Sequence, residues 1–180
     1  MNNTTRTTIT VAMLAGMVAL WPAQAQAATD WMPTPYAKDS IPVYDRTGRS
    51  ATMTAVDRWE HTGDGYDLWR TLSQPPAGTG VVIQWDSTLA GTNIAGLAEQ
   101  RIVGGKIVNC LLRVNTNING IGRPSGKLYE AIISHEFGHC MGLKHDDSST
   151  QSIMRPGLGA DAYVPTTTDK ARARAGMATN

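Results

Sequence analysis

The chain has 180 residues, 41% hydrophobic and 17% charged, which suits a single soluble globular domain. Its 16 Lys and Arg nearly balance 15 Asp and Glu, and no basic run stands out. That argues against nucleic acid or an anionic membrane surface as partner.

Residues 1–6 carry one positive charge, Arg6, and no acid; residues 9–20 form a short apolar run, followed by Trp21, Pro22 and the small-residue stretch AQAQAA. This is the layout of a secretory signal peptide. The run is shorter than the roughly 20 apolar residues that span a bilayer. Small-residue spacing permits cleavage after Ala25 or Ala27, with Ala27 preferred. The mature chain is then about 153 residues, with Arg6 lost and a net charge near zero. Such a length buries roughly 68–70% of its unfolded surface. Export places Cys110 and Cys140 in an oxidising, extracellular setting, where an even count suggests a disulfide.

Residues 28–40 carry prolines and read as an extended leader onto the domain. IPVY, 41–44, reads as a first strand. Ser50 then caps a helix over 51–60, where Met53, Val56 and Trp59 recur at helical spacing. A glycine- and proline-rich passage leads to the strand VVIQW, 81–85, and the weakly patterned 86–105 reads as a loop or bulged strand. GKIVNCLLRV, 104–113, alternates more cleanly. It puts Val108, Cys110, Leu112 and Val114 on a core face, and Ile107, Asn109, Leu111 and Arg113 on the other. Turn residues fill 115–126, and KLYEAIISHEFGHCM, 127–141, is a helix closed by Gly142 as a left-handed C-cap. After the loop SSTQSIMRPGLG, TTTDKARARAG reads as a short capped C-terminal helix. The order predicts an α/β (α+β) domain.

The stretch HEFGHCMGLKH carries the chemistry. Residues four apart share a helix face, so His135 and His139 present two imidazoles able to grip one ion at about 2 Å. Glu136 lies one position round, off the ligand face but near enough to reach a water on the metal. Gly142 turns the chain so that His145 returns as a third ligand, leaving a fourth position open, as a catalytic zinc requires. With His and Glu each about 2% of the chain, H-E-x-x-H arises by chance in roughly one such chain in 500. His61 lies outside the motif in a polar stretch and reads as a surface histidine.

HEFGHCMGLKH followed by SIMRP resembles the metzincin metallopeptidases, and within them the matrixins, including their secreted bacterial relatives. The strong resemblance spans residues 128–156; agreement in element order extends it over 41–176. It implies a twisted mixed sheet packed on two helices, one carrying the zinc ligands, and a small irregular C-terminal lobe ending in a helix. It implies His135, His139 and His145 as ligands of one catalytic Zn2+, Glu136 as catalytic base, and Met154 in a methionine turn beneath the ligands. It also implies that an edge strand, taken as 107–114, pairs antiparallel with an extended protein or peptide substrate.

Three features depart from the pattern. Residues 28–50 lack the cysteine that blocks the zinc in matrixin pro-segments, and Leu158 stands where the specificity pocket has its Pro-x-Tyr wall. Asp146 follows His145 and is the alternative third ligand, with His145 preferred on spacing. Asp64, Asp67 and Asp86 lie in loops, but no Ca2+-loop pattern is present, so they read as solvated acids and structural calcium has no motif behind it.

In helical projection Ile133, Phe137 and Cys140 form one apolar stripe, more than about 120° from His135 and His139. Cys140 therefore points into the core, as does Cys110, and a Cys110–Cys140 disulfide is expected. The whole predicts a monomeric, secreted zinc endopeptidase: signal peptide 1–27, leader 28–40, catalytic domain 41–180. The alternatives are a peptidase restricted to one partner, and a secreted zinc-fold binding protein without proteolysis.

Overall fold

The computed structural model describes residues 5–12, 40–60, 67–76, 79–157 and 163–177, the side chains of 5–12, 176 and 177 excepted. The expected cleavage site, most of the leader, His61, Asp64 and Leu158 lie outside the described residues. In chain order the elements are β1 (Thr5–Ala12), β2 (Ser40–Asp45), α1 (Ser50–Asp57), β3 (Asp67–Arg70) and β4 (Val81–Asp86). They continue with β5 (Ile94–Val103), β6 (Lys106–Asn115), α2 (Gly126–Cys140) and α3 (Thr167–Met177). Among the described residues, no helix is long and apolar enough to cross a membrane.

The strands form one mixed sheet in the order β1-β5-β6-β4-β2-β3. β2, β3, β4 and β6 run parallel, and β5 runs antiparallel to both β6 and β1. α1 packs on α2, and α2 lies against β5 and β6. This mixed sheet with helices is the expected α+β arrangement. The core between the layers is apolar: Ile132, Ile133 and Phe137 of α2 and Ile83, Ile107 and Leu112 of the sheet are fully buried. Each such side chain contributes roughly 1.5–3 kcal/mol on burial. A buried hydroxyl link, Thr52 Oγ1 to Tyr129 Oη at 2.6 Å, joins α1 to α2.

Several expectations need correction. Residues 86–105 are largely strand. β5 shows no two-residue period because both of its faces are closed: Ala95, Gly96, Leu97 and Ala98 are all buried in succession. Gly104 does not open the next strand. Gly104 and Gly105, at φ 59° and 77°, form the two-residue turn between paired Val103 and Lys106. Two consecutive positive φ values suit such a hairpin and favour glycine at both positions. That hairpin lays β5 outside β6, so 107–114 is an inner strand and not the sheet edge. β5 lies between β6 and β1, and β1 is the edge on that side.

The face assignment of β6 also changes. Arg101 pairs with Asn109 and Ile102 with Ile107, leaving Val108 unmatched in a bulge. A bulge shifts the side-chain alternation by one. Ile107 thereby joins Cys110, Leu112 and Val114 in the core, while Val108 is only half-buried. At α1 the N-cap is Arg49 and Ser50 is already helical. Asp86 is no solvated acid: it is 7% exposed, accepts from Thr88 and pairs with Arg113 at 2.8 Å.

Candidate metal centre

The site is built on the C-terminal half of α2, where every residue from Ala131 to Cys140 is buried. At its end Gly142, at φ 92°, lets the chain reverse. Gly142 N–H donates to the His139 carbonyl at 2.9 Å and Leu143 N–H to the Gly138 carbonyl at 3.0 Å. This pair of bonds is a Schellman motif, which favours glycine at that position. The reversal aims the Leu143 carbonyl back at the helix, where His139 Nδ1 donates to it at 2.8 Å. His135 Nδ1 donates likewise to the Ile153 carbonyl at 2.6 Å.

A carbonyl can only accept, so both Nδ1 atoms carry the proton and both Nε2 atoms present a lone pair. Those lone pairs converge. His135 and His139 Nε2 are 3.1 Å apart, and His145 Nε2 lies 3.3 Å and 3.2 Å from them. Three corners of a tetrahedron with bonds of about 2.0–2.1 Å are separated by about 3.3 Å. Burial holds His135 neutral, its pKa lowered to about 4, and holds His139 well below its ordinary value, with the neighbouring imidazoles acting the same way. The cluster therefore resists filling itself with protons, and a cation would reconcile the converging ring nitrogens. His135, His139 and His145 can hold a metal ion, as the sequence motif anticipated. Three nitrogens suit zinc, and the carbonyls on the Nδ1–H groups of His135 and His139 are the usual support for such ligands.

Met154 packs against α2 at Gly138. A Cβ on Gly138 would lie 2.3 Å from Met154 Sδ and 2.9 Å from Trp59 Cζ2. Only glycine allows α2 to rest on both. Trp59 is fixed in turn by donating to the Ser134 carbonyl at 3.1 Å.

Glu136 faces β5. A Cβ on Gly96 would lie 2.7 Å from Glu136 Cγ and 2.9 Å from Oε1, so this glycine makes room for the glutamate under the strand. Glu136 is 1% exposed, and its Oε2 has no hydrogen-bond partner. Burial pushes its pKa well above the ordinary value, against a smaller opposing effect of the Ala98 backbone. A buried carboxylate oxygen without a partner is costly in a purely structural role.

Asp146 lies outside the histidine cluster, and its carboxylate is engaged elsewhere. One carboxylate oxygen accepts from the Ser148 amide and hydroxyl, and the other pairs with Arg172. Cys140 likewise points away from the histidines and is bonded to Cys110, with Cα atoms 5.5 Å apart and both residues fully buried. The bridge ties α2 to inner strand β6, not to an edge strand.

Two supporting residues escaped the sequence reading. Asp169, fully buried at the start of α3, accepts from Ser152 Oγ at 2.5 Å, Ile153 N–H at 3.2 Å and Thr166 N–H at 2.8 Å. It therefore holds the turn whose Ile153 carbonyl orients His135. The Thr166-x-x-Asp169 spacing, a capping pattern, was the available signal. Gln100 of β5 donates to the His139 carbonyl, with no local signal at all. Compared with known proteins, the chain matches no family model and no curated protein.

Proposed function

We propose that this chain is a secreted, zinc-dependent endopeptidase of the metzincin kind, matrixin-like, which hydrolyses peptide bonds within proteins. The observation that carries the reading is the convergence of three histidine Nε2 atoms, 3.1–3.3 Å apart, with the residue after His135 a buried glutamate with an unpartnered oxygen. Three protein ligands rather than four is the donor count of a catalytic zinc. When bound, the ion would supply an acidified water and polarise the scissile carbonyl.

The rest falls to the chain. Glu136 receives a proton from the attacking water at its carboxylate and delivers it to the amine as the C–N bond breaks. Burial, which raises the pKa of Glu136, favours its holding that proton between the two transfers. The strand that would receive substrate is β5 rather than 107–114: it lies over Glu136 through Gly96, and its far side is covered by β1 alone. Removal of a signal peptide would bare that edge for an extended peptide. The buried disulfide supports an oxidising compartment.

Glu136→Gln tests the mechanism. The variant should keep its metal and lose cleavage of a broad peptide library. Cleavage at the wild-type rate would sink the mechanism. A zinc-loaded wild type that cleaves nothing would favour a zinc-fold binding protein instead.

A further inference from the structure

His145 differs from the other two ligands in what holds it. It lies outside α2, in a segment without regular structure, and it is exposed. His135 and His139 each have a carbonyl on Nδ1, whereas among the described residues His145 makes no side-chain bond except the Nε2 contacts of the cluster. Its orientation must come from the backbone on either side. The next residue, Asp146, is pinned on three sides. Its amide donates to the Met154 carbonyl at 2.9 Å, one carboxylate oxygen accepts from Ser148, and the other pairs with Arg172 of α3. The Asp146–Arg172 pair is largely enclosed, at 13% and 29% side-chain exposure.

Arg172 lies three residues beyond Asp169 on α3, one turn along the same face. From that face Asp169 holds the turn under His135, and Arg172 holds the residue that follows His145. We propose that α3 is the positioning element of the metal centre, with Arg172 the positioning residue for His145 through Asp146. This rests on the metal-site part of the function proposed above and extends it to residues outside the motif. A fork-shaped guanidinium suits this task better than an ammonium, because it fixes a carboxylate in direction as well as distance.

The experiment measures zinc affinity of the purified chain by competition with a chromophoric chelator, and the visible spectrum of the Co2+-loaded protein. Arg172→Ala should weaken zinc binding by about 10-fold, the lower end of what losing a partner bonded directly to a ligand costs, and alter the cobalt bands. Arg172→Lys should recover part of the affinity. Arg174→Ala, on the same helix with its Nε bonded to the Lys170 carbonyl, should bind zinc like wild type while matching any loss of metal-free melting temperature. Folded Arg172→Ala with wild-type affinity and spectrum would overturn the proposal, as would equal losses in Arg172→Ala and Arg174→Ala. Should Arg172→Ala fail to fold, Arg172→Lys and Asp146→Asn decide by the same two readouts. A wild-type chain that binds no zinc takes the metal-centre reading down with it, a result distinct from an unaffected Arg172 variant.

Discussion

The disulfide offers the cleanest test of the packing described above. Cys110 and Cys140 are 30 residues apart and fully buried, so reduction removes a crosslink without exposing either sulfur in the native state. Closing a loop of about 30 residues lowers the entropy of the unfolded chain by about 12 cal/mol/K, or about 3.6 kcal/mol at 25 °C. For a chain of this size, each kcal/mol shifts the melting temperature by about 2–4 °C, so the expected drop is about 7–14 °C. The assay is thermal unfolding by circular dichroism at fixed zinc, comparing oxidised protein, protein reduced with dithiothreitol, and a Cys110→Ala/Cys140→Ala variant. The reduced protein keeps both sulfurs and isolates the crosslink. The double variant adds the loss of two buried atoms and should melt lower still. A drop below about 2 °C on verified reduction would refute the argument, as would two titratable thiols in the oxidised, denatured protein.

Gly138→Ala should cost about 1–3 kcal/mol in urea unfolding, because the new methyl meets Met154 Sδ and Trp59; an unchanged midpoint would contradict that packing. Acid should destabilise the metal-free protein. His135, lowered by burial to about 4, stays neutral in the fold while the unfolded chain protonates near pH 6.5. Stability is therefore full above pH 6.5 and falls towards pH 4, by on the order of 3 kcal/mol from this residue alone; a urea midpoint constant from pH 8 to 5 in chelator would show the burial to be wrong. A chain beginning at Ala28 lacks β1 and should show faster amide exchange along β5, and faster peptide hydrolysis, than the full chain; equal rates in both would mean that β1 does not guard the edge.

What could be read from the sequence followed the range of the interactions involved. The helix over 126–140, its glycine stop and the histidine triangle rest on offsets of three and four residues, which a helix turns into fixed directions. The inward aim of Cys140 came from the same projection, and the disulfide followed once Cys110 was assigned to the core face. The order of β5 and β6 was hidden because it depends on which strand lies outside the other. Two neighbouring glycines, 104 and 105, decided that through a turn, and the preceding strand had no alternation to announce it.

Gly96 and Gly138 show why the support of the site stayed hidden even where its ligands were plain. A glycine in a strand or helix reads as a weak point, costing about 1 kcal/mol against alanine. Here each marks a place where another element comes within a methyl's reach: Glu136 under Gly96, Met154 and Trp59 against Gly138. The partner lies 40 residues away from Gly96, and 16 and 79 residues away from Gly138. No local pattern at either position announces its partner. The motif states which histidine nitrogens converge, whereas the conditions that let them meet are written as missing side chains. Asp169 and Arg172 follow the same logic in positive form. Only a capping pattern marks Asp169 and nothing marks Arg172 until the chain folds back, setting one on the Ile153 turn and the other on Asp146.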